Sequence, residues 1–291
     1  MSADTSHDLF CAQWLALRET LDAESRSHRL TGLAADWLAS RRGPHGIVDL
    51  GSGSGSNLRF LAPRLPGPQR WRLVDHDARL LAHIRRRGAR LRDSAGGAVA
   101  LQTQCRGLAP VDPELLAEAD LVVASALFDL MSAAWVTALA GACAARGQAL
   151  LLTLSVDGDW AFLDRQGARV DARDDMAVRA LFQAHQRRDK GLGPALGGEA
   201  PERLVDALAA AGFEVESAAT PWVLAAGSAA HQALLESLVT GWHAAAVEQA
   251  PDEASWLNAW RERRLHAIAD GQLGVTVGHR DIFARPAVAR P

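Results

Sequence analysis

The chain has 291 residues, enough for one large domain, or one domain with a sizeable insertion, around a full buried core. With 48% hydrophobic and 22% charged residues and a net charge of −3, it reads as globular, with no general pull toward nucleic acid or an anionic membrane. The scattered Cys11, Cys105 and Cys143 make neither a disulfide framework nor a metal spacing, the start Met1–Asp4 has no basic-then-apolar leader, and no apolar run approaches the ~20 residues of a membrane span, so a cytoplasmic protein is expected.

Two helices are predicted over residues 8–40. Leu9, Phe10, Trp14, Leu17 and Leu21 recur at helical spacing, and so do Leu30, Leu33, Trp37 and Leu38. The opposite face of the first helix carries Arg18, Asp22 and Arg26 at steps of four. It is either a solvated face or a lid that aims an arginine at a carboxylate. Strands and helices then alternate. Strands are predicted at Ile47–Leu50, Arg70–Val74, Val99–Thr103, Leu121–Ser125 and Ala149–Leu154, with helices at Leu58–Leu65, Ala78–Leu91, Asp112–Ala117 and Ala133–Ala145. That rhythm predicts an α/β fold with a doubly wound, mostly parallel sheet, which binds ligands at the carboxyl ends of its strands.

Beyond residue 155 the pattern changes. Asp157–Trp160 reads as a loop at the same sheet edge, and Asp174–Arg188 as an amphipathic helix leading into the basic, glycine-rich stretch Arg187–Pro194. Pro201–Ala211 is the next helix, and Phe213–Leu224 and Val275–Arg285 are the last two strands. Between these strands, residues 225–274 supply two helices marked by Leu235, Leu238, Trp242, Trp256, Leu257 and Trp260, read as part of a cap or as an oligomer contact such as a homodimer. His279-Arg280-Asp281 lacks the asparagine and the glycine-rich hairpin of a kinase and is read as sheet structure. The histidines show no ligand spacing, so no metal site is expected. The run Arg85-Arg86-Arg87 is read as a solvated face before a nucleic-acid patch.

Ile47–Asn57 organises the rest. A short apolar strand ends in Asp49, Gly51, Gly53 and Gly55 follow at every second position, and Asn57 opens a helix. A glycine path between strand and helix brings bare backbone and unpaired N–H groups against a ligand. The dinucleotide spacing fails by one residue, because its third glycine would fall on Ser56. With Asp75 ending the next strand, the stretch instead resembles the first motif of class I S-adenosylmethionine-dependent methyltransferases.

The resemblance implies a seven-stranded sheet whose last strand is antiparallel. On this reading the core spans 46–155 and 200–286, the N-terminal helices 1–45 form a lid, and 156–199 and 225–274 are helical cap insertions. It implies S-adenosylmethionine as cofactor, with the methionine end held by Asp49, the backbone of Gly51, Ser52, Gly53 and Gly55, and Asn57. Asp75 would take the ribose, His76 and Arg106 would lie near the adenine, and Ser125 would lie under the sulfonium. The segment after strand four is not the Asn/Asp-Pro-Pro-aromatic grip of amino-group methylases, which disfavours DNA bases and protein glutamine, and the cap after strand five argues against a large substrate, so a small polar or acidic acceptor is expected, ahead of protein, RNA or a purely binding role. Asp129 is the candidate acid/base, with a helix N-cap as the alternative. Phe128, Trp160 and Trp222 are candidate pocket walls, with core packing the alternative. Arg187, Arg188 and Lys190 are candidate contacts for an acidic substrate, with a solvent-exposed helix end the alternative.

Overall fold

The computed structural model describes residues 12–88, 90–170, 172–189 and 193–287; Leu9, Phe10, Cys11 and Lys190, which figure in the expectations above, lie outside the described residues. Two helices lead, α1 (Ala12–Ser25) and α2 (His28–Ala39), the second capped by the Ser27 hydroxyl, which accepts from the Leu30 N–H. The alternating part follows as β1 (His45–Leu50), α3 (Ser56–Leu61), β2 (Gln69–Asp75), α4 (Ala78–Gly88), β3 (Ala100–Cys105), β4 (Leu121–Ser125), α5 (Ala133–Ala144) and β5 (Ala149–Leu163). Then come β6 (Arg169–Val170), α6 (Arg173–Gln186), α7 (Ala200–Ala210), β7 (Phe213–Ala219), β8 (Trp222–Leu224), α8 (Gln232–Gln249), α9 (Ala254–Ala269) and β9 (Gly274–Pro286).

The strand order is β3-β2-β1-β4-β5-β9-β7, with β6 paired to β5 and β8 to β9. Pairs β1–β2, β1–β4, β2–β3 and β4–β5 are parallel. β9 runs antiparallel between β5 and β7, as expected of the last strand. The central strands carry apolar residues on both faces. Val48, Val122, Leu150 and Leu152 pack with α5 and α7, and Ile47, Val123 and Leu151 pack with α2 and α3, which is the pattern of a sheet covered on both sides. Reversal of strand order on either side of β1 and β4 puts a crevice at their carboxyl ends.

Two expectations need correction. Asp157–Trp160 is not a loop: β5 continues through it to Leu163, paired with β9 as far as Gly274. Two register shifts, Leu152/Ser155 and Val156/Trp160, absorb the extra residues, with Leu154 at φ 54° and Gly158 at φ 81°. Conversely, Phe213–Leu224 is two strands and not one, broken at Thr220-Pro221, because proline has no N–H for the ladder. The over-long β5 and β9 carry a third apolar cluster beyond the sheet edge, where Trp160, Phe162 and Trp222 meet Leu235, Trp242, Leu257 and Trp260 of α8 and α9.

Buried Asp281 ties this extension to the leading helices. Its carboxylate accepts from the Ser27 N–H at 2.8 Å, the Leu154 N–H at 2.8 Å and the Thr220 hydroxyl at 3.1 Å. Burial pushes its pKa up, while those bonds and nearby Arg26 pull it back.

Candidate active site

The turn after β1 takes the path that the glycines allow. Gly51, Gly53 and Gly55 have φ of 64°, 51° and 86°, a region that disfavours any residue with a Cβ. Space is tight as well: a Cβ on Gly51 would lie 3.0 Å from Leu127 Cδ1, so that side chain would have to give way. The turn is pinned to β2 by the Ser52 N–H, which donates to the Val74 carbonyl at 2.9 Å. Asp75 accepts from the Gly53 N–H at 2.8 Å through one oxygen and from the Asp77 N–H at 2.9 Å through the other. A carboxylate offers about four lone-pair sites, so these two bonds leave it capacity for a pair of hydroxyls.

Beneath the turn lies a buried polar chain. Asn57, in the first turn of α3, donates to Asp49 Oδ1 at 2.9 Å and accepts from Arg26 Nη1 at 2.6 Å. Arg26 Nη2 reaches the Ser125 hydroxyl at 3.0 Å, at the tip of β4. Burial raises the Asp49 pKa to about 7, against the lowering effects of the Asn57 bond and the Arg26 charge. Burial also lowers the Arg26 pKa, with Asp22, Asp281 and Asp49 acting the other way. Asp49 Oδ2, the Ser52 hydroxyl and Arg26 Nε are buried without a partner. Buried polar atoms are ordinarily paired, so these open valences mark a place suited to a polar ligand. The acid, the hydroxyl and the cation together fit the ammonium and carboxylate of an amino acid.

α1 lies across this turn. Leu15 Cδ1 stands 3.4 Å from where a Gly53 Cβ would be, and Arg59 grips Glu19 through Nε at 2.6 Å and Nη2 at 2.7 Å while Nη1 reaches the Ser54 carbonyl at 2.7 Å. The Arg18–Asp22–Arg26 face is therefore not solvated: Asp22 and Arg26 are buried, and Arg18 pairs with Asp22 at 2.9 Å.

Against Trp14 and Arg18 of α1, beside the tip of β4, a cavity of about 140 Å³ opens. Its wall includes Trp160 and Trp222 together with Trp14, Phe182 and Trp242, while Ala126, Asp129, Arg18 and His279 also face it. Trp160 stacks on Trp242 with ring centres 3.9 Å apart and planes 10° from parallel. Burial, and after it the nearby Arg18 charge, drives the His279 pKa down to about 3, so the ring is neutral, and its Nδ1–H donates to the Val277 carbonyl at 3.0 Å.

The remaining sequence-predicted residues fall as follows. His76 is exposed beside Asp75, with Nδ1 3.5 Å from Asp75 Oδ1. The Arg106 N–H donates to the Asp75 carbonyl at 2.9 Å, and its guanidinium pairs with Asp112 at 2.9 Å. Asp129 lies in the short turn Phe128–Leu130 on the cavity wall, and Ser132, not Asp129, caps α5. Phe128 does not wall the cavity: it is wholly buried in the core against Trp135, on the far side of the turn that presents Asp129. Arg187 and Arg188 also stand elsewhere, at the exposed end of α6, pairing with Glu199 at 3.8 Å and Glu248 at 3.7 Å.

Sequence reasoning missed Trp242, Phe182, Trp14 and His279 as wall residues. Only His279, a histidine within a β-strand pattern, carried a signal that could have marked it. Among the described residues no cluster could hold a metal ion, and no helix is long and apolar enough to cross a membrane.

No family model and no curated protein sequence matches the chain. Among solved structures it is similar to a cyclopropane synthase from Mycobacterium tuberculosis, at 14% identity over 88% of this chain and 82% of that one, TM-score 0.44. It is also similar to a putative sarcosine dimethylglycine methyltransferase from Galdieria sulphuraria, at 12% identity over 89% and 84%, TM-score 0.42. A third is a precorrin-6y C5,15-methyltransferase from Geobacter metallireducens, at 12% identity over 90% and 88%, TM-score 0.43.

Proposed function

We propose that the chain is a class I S-adenosylmethionine-dependent methyltransferase acting on a small molecule. The observation that carries this reading is the pairing, at the tips of β1 and β2, of a left-handed glycine turn with two buried carboxylates, one of which keeps an unpartnered oxygen. The bound cofactor would supply a methyl group made electrophilic by its sulfonium, so that the protein's task is chiefly placement and exclusion of water.

The residues divide that task. Asp49 Oδ2 and the Ser52 hydroxyl would meet the ammonium of the methionine end, and Arg26 its carboxylate, with Asn57 fixing the acid and the guanidinium relative to each other. Asp75 would accept the two ribose hydroxyls on its remaining lone pairs. The neighbouring cavity would hold the acceptor, with Asp129 on its wall to take the proton released by an O–H or N–H nucleophile. The size of this space supports a small molecule over a protein or RNA. An acidic acceptor loses its expected contacts, because Arg187 and Arg188 pair away from the cavity.

The test is titration calorimetry of the intact protein with S-adenosylhomocysteine. Binding is expected, and Asp75→Ala should weaken it at least a hundredfold while leaving the melting temperature of the unliganded protein within a few degrees. Absence of binding to the intact protein would overturn the reading.

A further inference from the structure

We propose that the acceptor cavity selects a small, flat, uncharged aromatic molecule, a class narrower than the small molecule of the methyl-transfer reading on which this inference rests. Of nine tryptophans in the chain, four face this one cavity, and Phe182 makes a fifth ring. They come from five separate elements: Trp14 from α1, Trp160 from β5, Phe182 from α6, Trp222 from β8 and Trp242 from α8. Trp160, Trp222 and Trp242 are packed in the third apolar cluster and still line this one cavity. The Trp160–Trp242 stack holds two of these rings rigid where they border the cavity, and aromatic rings favour another ring at stacking or edge-on distance. A cavity of roughly 150 Å³ lined by apolar side chains accommodates a benzene-sized ring, and this one has about 140 Å³.

The charges on the wall argue against an ionised ligand of either sign. Aromatic walls often hold an ammonium, but the Arg18 guanidinium, itself on the wall, already lies 4.9 Å from the ring centre of Trp222, and that of Arg179, outside the cavity lining, lies 5.2 Å from that of Trp160. A ligand cation would meet Arg18 and find these two rings already engaged by a cation. A ligand anion would meet Asp129 and Asp159 on the same wall. Both arginines and Asp159 are engaged within the protein: Arg18 with Asp22 at 2.9 Å, and Asp159 with Arg169 at 2.8 Å and Arg179 at 3.4 Å. A ligand anion would thus lose its hydration without a vacant cation to meet, and a ligand cation would have to displace Arg18 from the face of Trp222, penalties that an uncharged ring bearing a hydroxyl or similar group escapes.

The experiment is calorimetric titration of the intact protein, with and without saturating S-adenosylhomocysteine, using phenol, indole, benzoate, benzylammonium and cyclohexanol. Phenol or indole is expected to bind at least tenfold more tightly than benzoate, benzylammonium or cyclohexanol. Gln186→Trp, which fills the cavity from its half-buried rim, should weaken the neutral rings at least tenfold and change S-adenosylhomocysteine affinity less than twofold. Should that variant fold poorly by circular dichroism, the probe series on the unaltered protein decides alone. A charged ring or cyclohexanol binding as well as the neutral rings, or no ring binding at millimolar concentration, overturns the proposal. Failure of the nucleoside to bind while neutral rings still do removes the methyl-transfer reading and leaves the cavity's preference standing.

Discussion

The glycine turn and the tryptophan-lined cavity both lie against one helix, α1, yet they are built in opposite ways. The turn itself is a run of consecutive residues, 49–57, and acts through backbone N–H groups and buried polar side chains, with Arg26 and Asp75 closing on it from either side. The cavity gathers rings separated by more than two hundred residues, from Trp14 to Trp222, and acts through apolar surface. The first region is fixed by backbone conformation at three left-handed glycines. The second depends on how far β5 and β9 overrun the sheet and on what packs against them, so it can be remodelled without disturbing the first.

The largest effect should come from the turn. Gly51→Val would force a β-branched residue to φ 64° and bring its Cβ to 3.0 Å from Leu127. Strain of this kind costs about 1–3 kcal/mol and overpacking about as much again. Denaturant unfolding should show the combined loss, and calorimetry should show no S-adenosylhomocysteine binding. Near-normal nucleoside affinity in this variant would break the claim that backbone geometry dictates the first region.

Next is the cavity wall. Trp242→Ala removes the stack on Trp160 and the edge contact with Phe162 and should cost about 3–5 kcal/mol, the range for truncating a buried aromatic. Nucleoside affinity in the folded variant should stay within about twofold. A large loss would mean that the two regions are coupled through α1, by way of Arg18 and Leu15.

This contrast also explains what could be read from the chain beforehand. Asp49, the three glycines and Asp75 were legible because strand ends and left-handed turns are local requirements. Arg26 was half legible: its helix face could be drawn, but burial against Asn57 and Ser125 depends on where α1 docks. The Asp157–Trp160 stretch shows the limit. Gly158 between two aspartates is a turn signal by every local rule, yet pairing with β9 carries the strand through it and bulges take up the irregularity. Phe128 and Asp129 are adjacent in sequence, and only the turn's geometry sends the first into the core and leaves the second on the cavity wall. Trp242 and Phe182 looked like any other apolar helix positions.

A smaller effect separates the regions by pH. Asp49 titrates near 7 in the folded chain because of burial, and a carboxyl of its type titrates near 4 when unfolded. Between those values the folded protein holds a proton that the unfolded chain has released. This group therefore makes stability fall as pH rises from about 4 to about 7 and adds no slope above. Asp49→Asn should flatten that limb in denaturant titrations. Seating an ammonium at Asp49 Oδ2 favours the ionised acid, so S-adenosylhomocysteine binding at pH 6 should release up to one proton, measured by calorimetry in buffers of different ionisation enthalpy. Adenosine, which has no ammonium, should release none.

The smallest effect tests the boundary of the cavity. Arg187 and Arg188 are about half exposed, and exposed ion pairs are worth about 0–1 kcal/mol, so Arg187→Ala and Arg188→Ala should each shift stability by less than about 1 kcal/mol. Neither should change nucleoside or neutral-ring affinity, because neither side chain borders the cavity. Gln186, one residue earlier, does border it, so the end of α6 passes from wall to solvent within a single step of the helix. Weakened ring binding in either arginine variant would place the end of α6 over the cavity mouth. The second region would then extend into a basic rim and lose the charge neutrality on which its selectivity is argued.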